Sequence, residues 1–193
     1  VARPKEFERE EVLDRAIEVF WARGYEAASI QDLVNQMGIN RGSLYDTFGD
    51  KHRLFLEALD RYEEVFHAEI LEMLSRPGSP RKAIVQVFDS VTRQCACESG
   101  RRGCLLTNTA VELSGHDSDT ADRVRANFTR LESAFHRACR ESMEKGEIGA
   151  RHDPRALARF LTSSLQGLRV MSKARPSRAH LRDITRVALS ALD

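Results

Sequence analysis

The sequence predicts an all-α protein with an N-terminal three-helix head and a larger C-terminal helical body. Apolar residues recur three and four apart through almost every segment. No stretch alternates apolar and polar residues as a half-buried strand would. The breaks carry helix punctuation: Ser, Asp or Asn in front, Pro at a first position, Gly behind.

The first helix spans about Glu8 to Arg23, buries Val12, Leu13, Ala16, Ile17 and Phe20, and stops at Gly24. Ser29 caps the second, with Asp32 three residues on in the capping-box pattern. Ile30, Leu33, Val34 and Met37 form its apolar face, and Gly38 supplies the left-handed residue that closes it. Asn40 caps a third helix, Arg41 to about Phe48. Two turns are not stable in isolation, so Leu44 and Phe48 must anchor it. This helix, glycine turn and short helix read as a helix-turn-helix whose second helix enters a DNA major groove. The candidate DNA-contacting residues are Ser29, Arg41, Gly42, Ser43, Tyr45, Asp46, Thr47 and Lys51. Gly42 permits close backbone approach, Asp46 can accept from a cytosine amino group, and Lys51 stands at a helix start, where amides and a cation clamp phosphate. The polar arm before the first helix adds Arg3 and Lys5, which either cross toward the backbone or minor groove or belong to a merely solvated tail.

The string Gly38-Ile39-Asn40-Arg41-Gly42-Ser43-Leu44-Tyr45-Asp46-Thr47-Phe48-Gly49-Asp50-Lys51 resembles the signature of TetR/AcrR-type transcriptional regulators, as does Val19-Phe20-Trp21-Ala22-Arg23-Gly24-Tyr25 before it. The resemblance covers about the first 55 residues. It implies an all-helical homodimer with a DNA-binding domain over 1–55 and an effector-binding and dimerisation domain over 56–193. By the same resemblance, Arg41, Ser43, Tyr45, Thr47 and Lys51 match positions that commonly touch DNA. Asn40 replaces the usual Ser or Thr cap, and Asp46 stands where an aromatic or His is frequent.

In the body, a fourth helix is expected from Lys51 to about Leu74, with Phe55, Leu59, Tyr62, Phe66 and Ile70 inward: a continuous rod able to carry a tilt to the head. Ser79 and Pro80 start the fifth, which buries Ala83, Ile84, Val87, Phe88, Val91 and Cys95. A short amphipathic helix covers Cys104 to Leu113. A long one runs from about Asp119 to Lys145 with Val124, Phe128, Leu131, Phe135, Ala138 and Ser142 on one face. Asp153 and Pro154 open the next, to about Met171, and the last follows Ser177.

The last two helices carry more apolar surface than a small body needs. Ser163, Ser164 and Gly167 allow close helix approach, and Leu165, Leu168, Leu181, Ile184 and Ala188 are the candidate dimer interface. Residues 164–171 resemble a recurrent string of one TetR subgroup. Two heads on a two-fold axis predict a palindromic double-stranded operator. A small-molecule effector is expected among Phe88, Thr92, Cys95, Leu106, Asn108, Thr109, Glu112, Phe128, Phe135 and Gln166. Asn108 and Glu112 share a helix face; inward they are polar handles of an apolar site, outward they are merely solvated. Residues 103–112 resemble a motif of the electrophile- and reactive-species-responsive branch, which makes Cys104 a candidate redox sensor. Arg101 and Arg102 beside it favour a thiolate; the competing role for the cysteines is that of small buried hydrophobes.

Composition sets outer bounds. The 193 residues hold 30 Lys and Arg against 29 Asp and Glu, a net charge of +1, so any nucleic-acid contact rests on a local patch. No 18-residue apolar run or signal-peptide pattern appears, and the 4 cysteines do not form a secreted scaffold, so a cytoplasmic protein is expected. No cofactor or metal is expected: Glu132, His136 and Cys139 on one helix are too few ligands. No nucleophile triad or glycine-rich phosphate loop is present, which argues against an enzyme.

Overall fold

The computed structural model describes residues 8–149 and 151–193; Arg3 and Lys5 lie outside them. Ten α-helices make up the described chain: α1 Arg9–Ala27, α2 Ile30–Met37, α3 Arg41–Phe48, α4 Lys51–Tyr62, α5 Ala68–Ser75, α6 Pro80–Ala96, α7 Leu105–Glu112, α8 Ser118–Glu144, α9 Pro154–Ser172 and α10 Arg178–Leu189. The architecture is all-α, with the helix-turn-helix of α2 and α3 in a small head and a larger bundle behind it.

The caps fall where the side chains demand them. The Ser29 hydroxyl accepts from the Asp32 amide at 3.1 Å, and Asp32 returns a bond to the Ser29 amide at 3.1 Å. Gly38 turns the chain at φ 71°. Asn40, Asp50, Ser79, Asp117, Asp153 and Ser177 each cap the helix that follows. Gly24 leaves helical geometry at φ 79° and ψ 178°, so the last residues of α1 form a separate short turn.

The expected rod from Lys51 runs helical to Ser75, but its register changes on the way. Residues Glu63–His67 form a π-turn between α4 and α5. A π-turn holds one extra residue, which rotates everything after it relative to an α-helical register. Phe66, expected inward, is therefore 39% exposed, and His67 is buried instead.

Two apolar cores result. One gathers α1 to α4 together with Cys104, Leu105, Leu106, Leu113 and Val124, so α7 and the start of α8 pack with the head. The other is built from α5, α6, α8, α9 and α10 around Phe88, Phe135, Leu161, Leu165 and Leu168. Among the described residues no helix is long and apolar enough to cross a membrane.

Candidate nucleic-acid interface and buried thiol cluster

α3 is held from beneath by Leu44 and Phe48, which are 0% and 3% exposed. Its other sides face solvent. Arg41, Gly42, Tyr45 and Asp46 are exposed, and Ser43 and Thr47 are half-buried. The Arg41 guanidinium lies 5.6 Å from the centre of the Tyr45 ring and donates to its hydroxyl at 3.4 Å. Gly42 has a local reason to be glycine: a Cβ there would stand 3.2 Å from Oδ1 of Asn40, the atom that caps the helix. Lys51 sits over the Tyr25 ring at 4.5 Å. Ser29 is exposed, but its hydroxyl is engaged with Asp32 at 2.7 Å.

The head is fastened to the body through α7. The Glu112 carboxylate accepts from the backbone amides of Tyr25 at 3.1 Å and Glu26 at 2.9 Å, just past the Gly24 break. A Cβ on Gly24 would lie 2.6 Å from that carboxylate, so a glycine at positive φ is required there. Three further ties reinforce the seam. The Trp21 indole donates to the Gly103 carbonyl at 3.2 Å, Arg102 pairs with Glu18 at 2.5 Å, and His52 meets Asp117 at 2.7 Å.

At the other end of α7 lies a buried polar cluster. Cys104 occupies the N-cap position and is 1% exposed. Its sulfur is 3.7 Å from Nε2 of His67, whose Nδ1 meets the Asn127 amide at 2.8 Å. Arg169 Nη1 lies 3.1 Å from the same Nε2, so the guanidinium and the sulfur meet at one ring nitrogen, and the Tyr62 ring lies 5.8 Å from the His67 ring. Burial pushes the Cys104 thiol up, but the Arg169 charge, then His67 and the Thr107 amide, override it and hold the group well below an ordinary thiol. Burial, and then the sulfur's charge, push the Tyr62 phenol well up, so it stays protonated. Cys139 has no such neighbours, and burial alone pushes it up to about 12.

A cavity of about 230 Å³ lies beside this cluster, bounded by Trp21, Tyr62, Phe66, Cys95, Gly100 and Arg169 among others. Of the residues expected to line an effector site, Cys95 borders it. The others lie elsewhere. Phe88 and Phe135 are enclosed in the second core with ring centres 6.1 Å apart. Thr92 bonds Thr185 at 2.6 Å, Thr109 bonds the Leu105 carbonyl at 2.9 Å, and Leu106 belongs to the first core. Asn108 is held between the Arg102 carbonyl at 3.0 Å and Lys173 at 2.9 Å. Glu112 faces the head rather than a pocket. Phe128 and Gln166 border a shallow groove between α8 and α9, and Gln166 accepts from Thr107 at 2.7 Å.

The residues expected at a dimer face lie mostly inside the protomer. Leu165, Leu168 and Leu181 are 0% exposed and Ala188 is 4%, all within the chain's own core, and Ile184 is half-buried. The apolar side chains these helices leave uncovered are Phe160, Val170, Met171 and Val187. His67, Asn127 and Arg169 of the polar cluster were not among the expected residues. Arg169 had a legible signal, since it falls on the buried stripe of α9 between Leu165 and Ser172. Asn127 likewise stands on the buried face of α8. His67 had none, because nothing in the sequence marks the π-turn.

Two family models match the chain: "Bacterial regulatory proteins, tetR family" over residues 12–58, and "Tetracyclin repressor-like, C-terminal domain" over residues 78–188. The chain is 38% identical to the uncharacterized HTH-type transcriptional regulator YezE of Bacillus subtilis (strain 168), over 100% of both chains. It is 30% identical to the HTH-type transcriptional repressor ComR of Escherichia coli (strain K12), covering 97% of this chain and 90% of that one. A cysteine mutant of the TetR-family regulator CifR, complexed with 26-bp double-strand operator DNA, superposes with a TM-score of 0.87 at 31% identity, over 99% and 100% of the two chains. The reduced form of E. coli NemR shares the fold at a TM-score of 0.86 and 19% identity, over 96% of each chain.

Proposed function

The chain belongs to the tetR family of bacterial regulatory proteins and is a DNA-binding transcriptional regulator; from that premise we propose that it is a repressor that grips a palindromic operator as a homodimer and lets go when Cys104 is modified or a small molecule fills the adjoining cavity. The observation that carries the DNA reading is α3. Its apolar residues are spent on the head's core, while Arg41, Tyr45 and Asp46 stand free on its outer face. The CifR relative was seen on operator DNA through the same fold. Arg41 and Asp46 then read base edges, whereas Tyr45 and Lys51 hold phosphate.

The release reading rests on α7. The helix carries the thiol at its first cap and Glu112 in its last turn, roughly 12 Å apart at 1.5 Å per residue. Alkylation joins the sulfur to an electrophilic carbon; the displaced pair leaves with the leaving group, as iodide from iodoacetamide, or, where the carbon belongs to an activated double bond, takes a proton from water. The product is a neutral thioether. Arg169 then loses its anion inside the protein, which disfavours the packed state. The enlarged side chain presses on α7, and Glu112 transmits the shift to the two amides of α1.

The homodimer reading rests on the uncovered stripe of α9. Phe160, Ser163, Gly167 and Val170 are exposed on one face, and a Cβ on Gly167 would meet nothing within 4 Å of its own chain. The glycine thus has no use within the protomer and leaves room for a partner helix.

The test is fluorescence anisotropy with the promoter region flanking the gene. Arg41→Ala is expected to weaken binding at least tenfold and to blunt discrimination between operator and random duplex. Lys51→Ala is expected to weaken all duplexes alike and flatten the salt dependence by about one unit of slope. A wild-type affinity for the promoter no better than for random duplex would overturn the reading.

A further inference from the structure

The cavity at the head–body seam has a chemistry that the thiol reading leaves unused. We propose that it is a reversible binding site for a small aromatic monocarboxylate, whose carboxylate takes the Arg169 guanidinium in place of the Cys104 sulfur. The site rests on the small-molecule arm of the proposed function and names its ligand class; it needs Arg169 and Cys104 gathered at His67 but no covalent chemistry.

Four observations select that ligand. The first is charge at the closed end. Arg169 is 7% exposed and, among the described residues, makes no ion pair with a carboxylate; it meets the His67 ring at 3.1 Å, on the nitrogen that the Cys104 sulfur approaches at 3.7 Å. A buried guanidinium favours an anion, and its planar fork fits a carboxylate with two parallel bonds. The second is the wall. Trp21, Tyr62 and Phe66 form a triangle of rings with centres 5.1, 5.2 and 4.8 Å apart. Phe66 is 39% exposed, so an aromatic face stands uncovered beside the cavity. The third is size. About 230 Å³ is below the roughly 300–1,000 Å³ of sites for drug-sized molecules, which suits a single ring. The fourth is the rim. Glu18 already neutralises Arg102 at 2.5 Å, and Glu69 is exposed at the mouth. Among the described residues lining the cavity no second free cation is therefore offered to a dianion, and the Glu69 charge opposes one.

Binding is then a competition for one buried cation. When the carboxylate engages Arg169, the sulfur takes a proton from solvent and becomes a neutral thiol. Two consequences have opposite signs from ordinary damage. The ligand protects Cys104 from alkylation, and removing the sulfur's charge strengthens the ligand's hold.

Trp21 is the chain's single tryptophan and lines the cavity, so its emission reads occupancy directly. The full-length protein, without DNA, is titrated with benzoate, with benzamide as the neutral isostere and phthalate as the dianion. A saturable change with benzoate is expected, at least tenfold weaker with benzamide and weaker again with phthalate. Cys104→Ser should tighten benzoate severalfold, and saturating benzoate should slow iodoacetamide labelling of wild-type Cys104. Equal binding of benzoate and benzamide, or no tightening in the Ser variant, overturns the site. Arg169→Gln should abolish binding; because that variant can lose its fold, the decisive comparisons use the wild-type and Ser proteins. Operator release by iodoacetamide is measured separately. Its loss in Cys104→Ser, beside absent benzoate binding, would leave the thiol reading standing and the carboxylate site refuted.

Discussion

Cys104 and Cys139 are equally enclosed, at 1% and 0% exposure, yet their thiols move in opposite directions. Burial raises both. Only Cys104 has a guanidinium, an imidazole and a backbone amide close enough to reverse the effect. This has a measurable sign. A group whose folded-state pKa is depressed gives stability that is full above its unfolded value and is lost as pH falls through the folded one. Relative to Cys104→Ser, the wild-type protein should therefore gain stability as pH rises toward the ordinary thiol value of 9.0. Urea unfolding across that range checks it, and parallel curves would refute the thiolate. Arg169→Met removes the largest cause that lowers the Cys104 thiol, so the thiol should rise and stay protonated, and the gain in stability toward pH 9.0 should disappear.

At the scale of elements, α7 is a strap fixed at both ends. Glu112→Ala leaves the part-buried Tyr25 amide and the exposed Glu26 amide without their acceptor, at a cost of about 1 kcal/mol. The expected result is a lower melting temperature together with weaker operator binding, because the head loses its orientation; unchanged affinity would remove α7 as the transmitter. Gly24→Ala should do similar harm from the opposite side, through the 2.6 Å approach and the positive φ. The helices themselves were legible in the sequence, since Ser29, Asn40, Ser79, Asp153 and Ser177 announce their starts in local chemistry. What was hidden is one residue of register. A regular 3.6 period places Phe66 inward, and the π-turn gives that place to His67. The polar cluster was hidden for the same reason, since it depends on contacts between positions up to 102 residues apart.

For the whole molecule, the exposed stripe of α9 is the test of assembly. Phe160→Glu places a charge in the proposed two-fold interface without touching the core, as Phe160 is 45% exposed. The expected outcome is a monomer by sedimentation with operator affinity reduced at least a hundredfold, because two linked heads hold far better than one. A dimer that survives this change would move the interface elsewhere.

The division of the two cores carries a last consequence. The apolar centre that supports α1 to α4 also takes in Leu105, Leu106, Leu113 and Val124. A chimera that grafts this reading head onto a relative's sensor would leave those partners behind. Successful transplants should be the ones that carry the Cys104–Val124 segment along with the N-terminal helices.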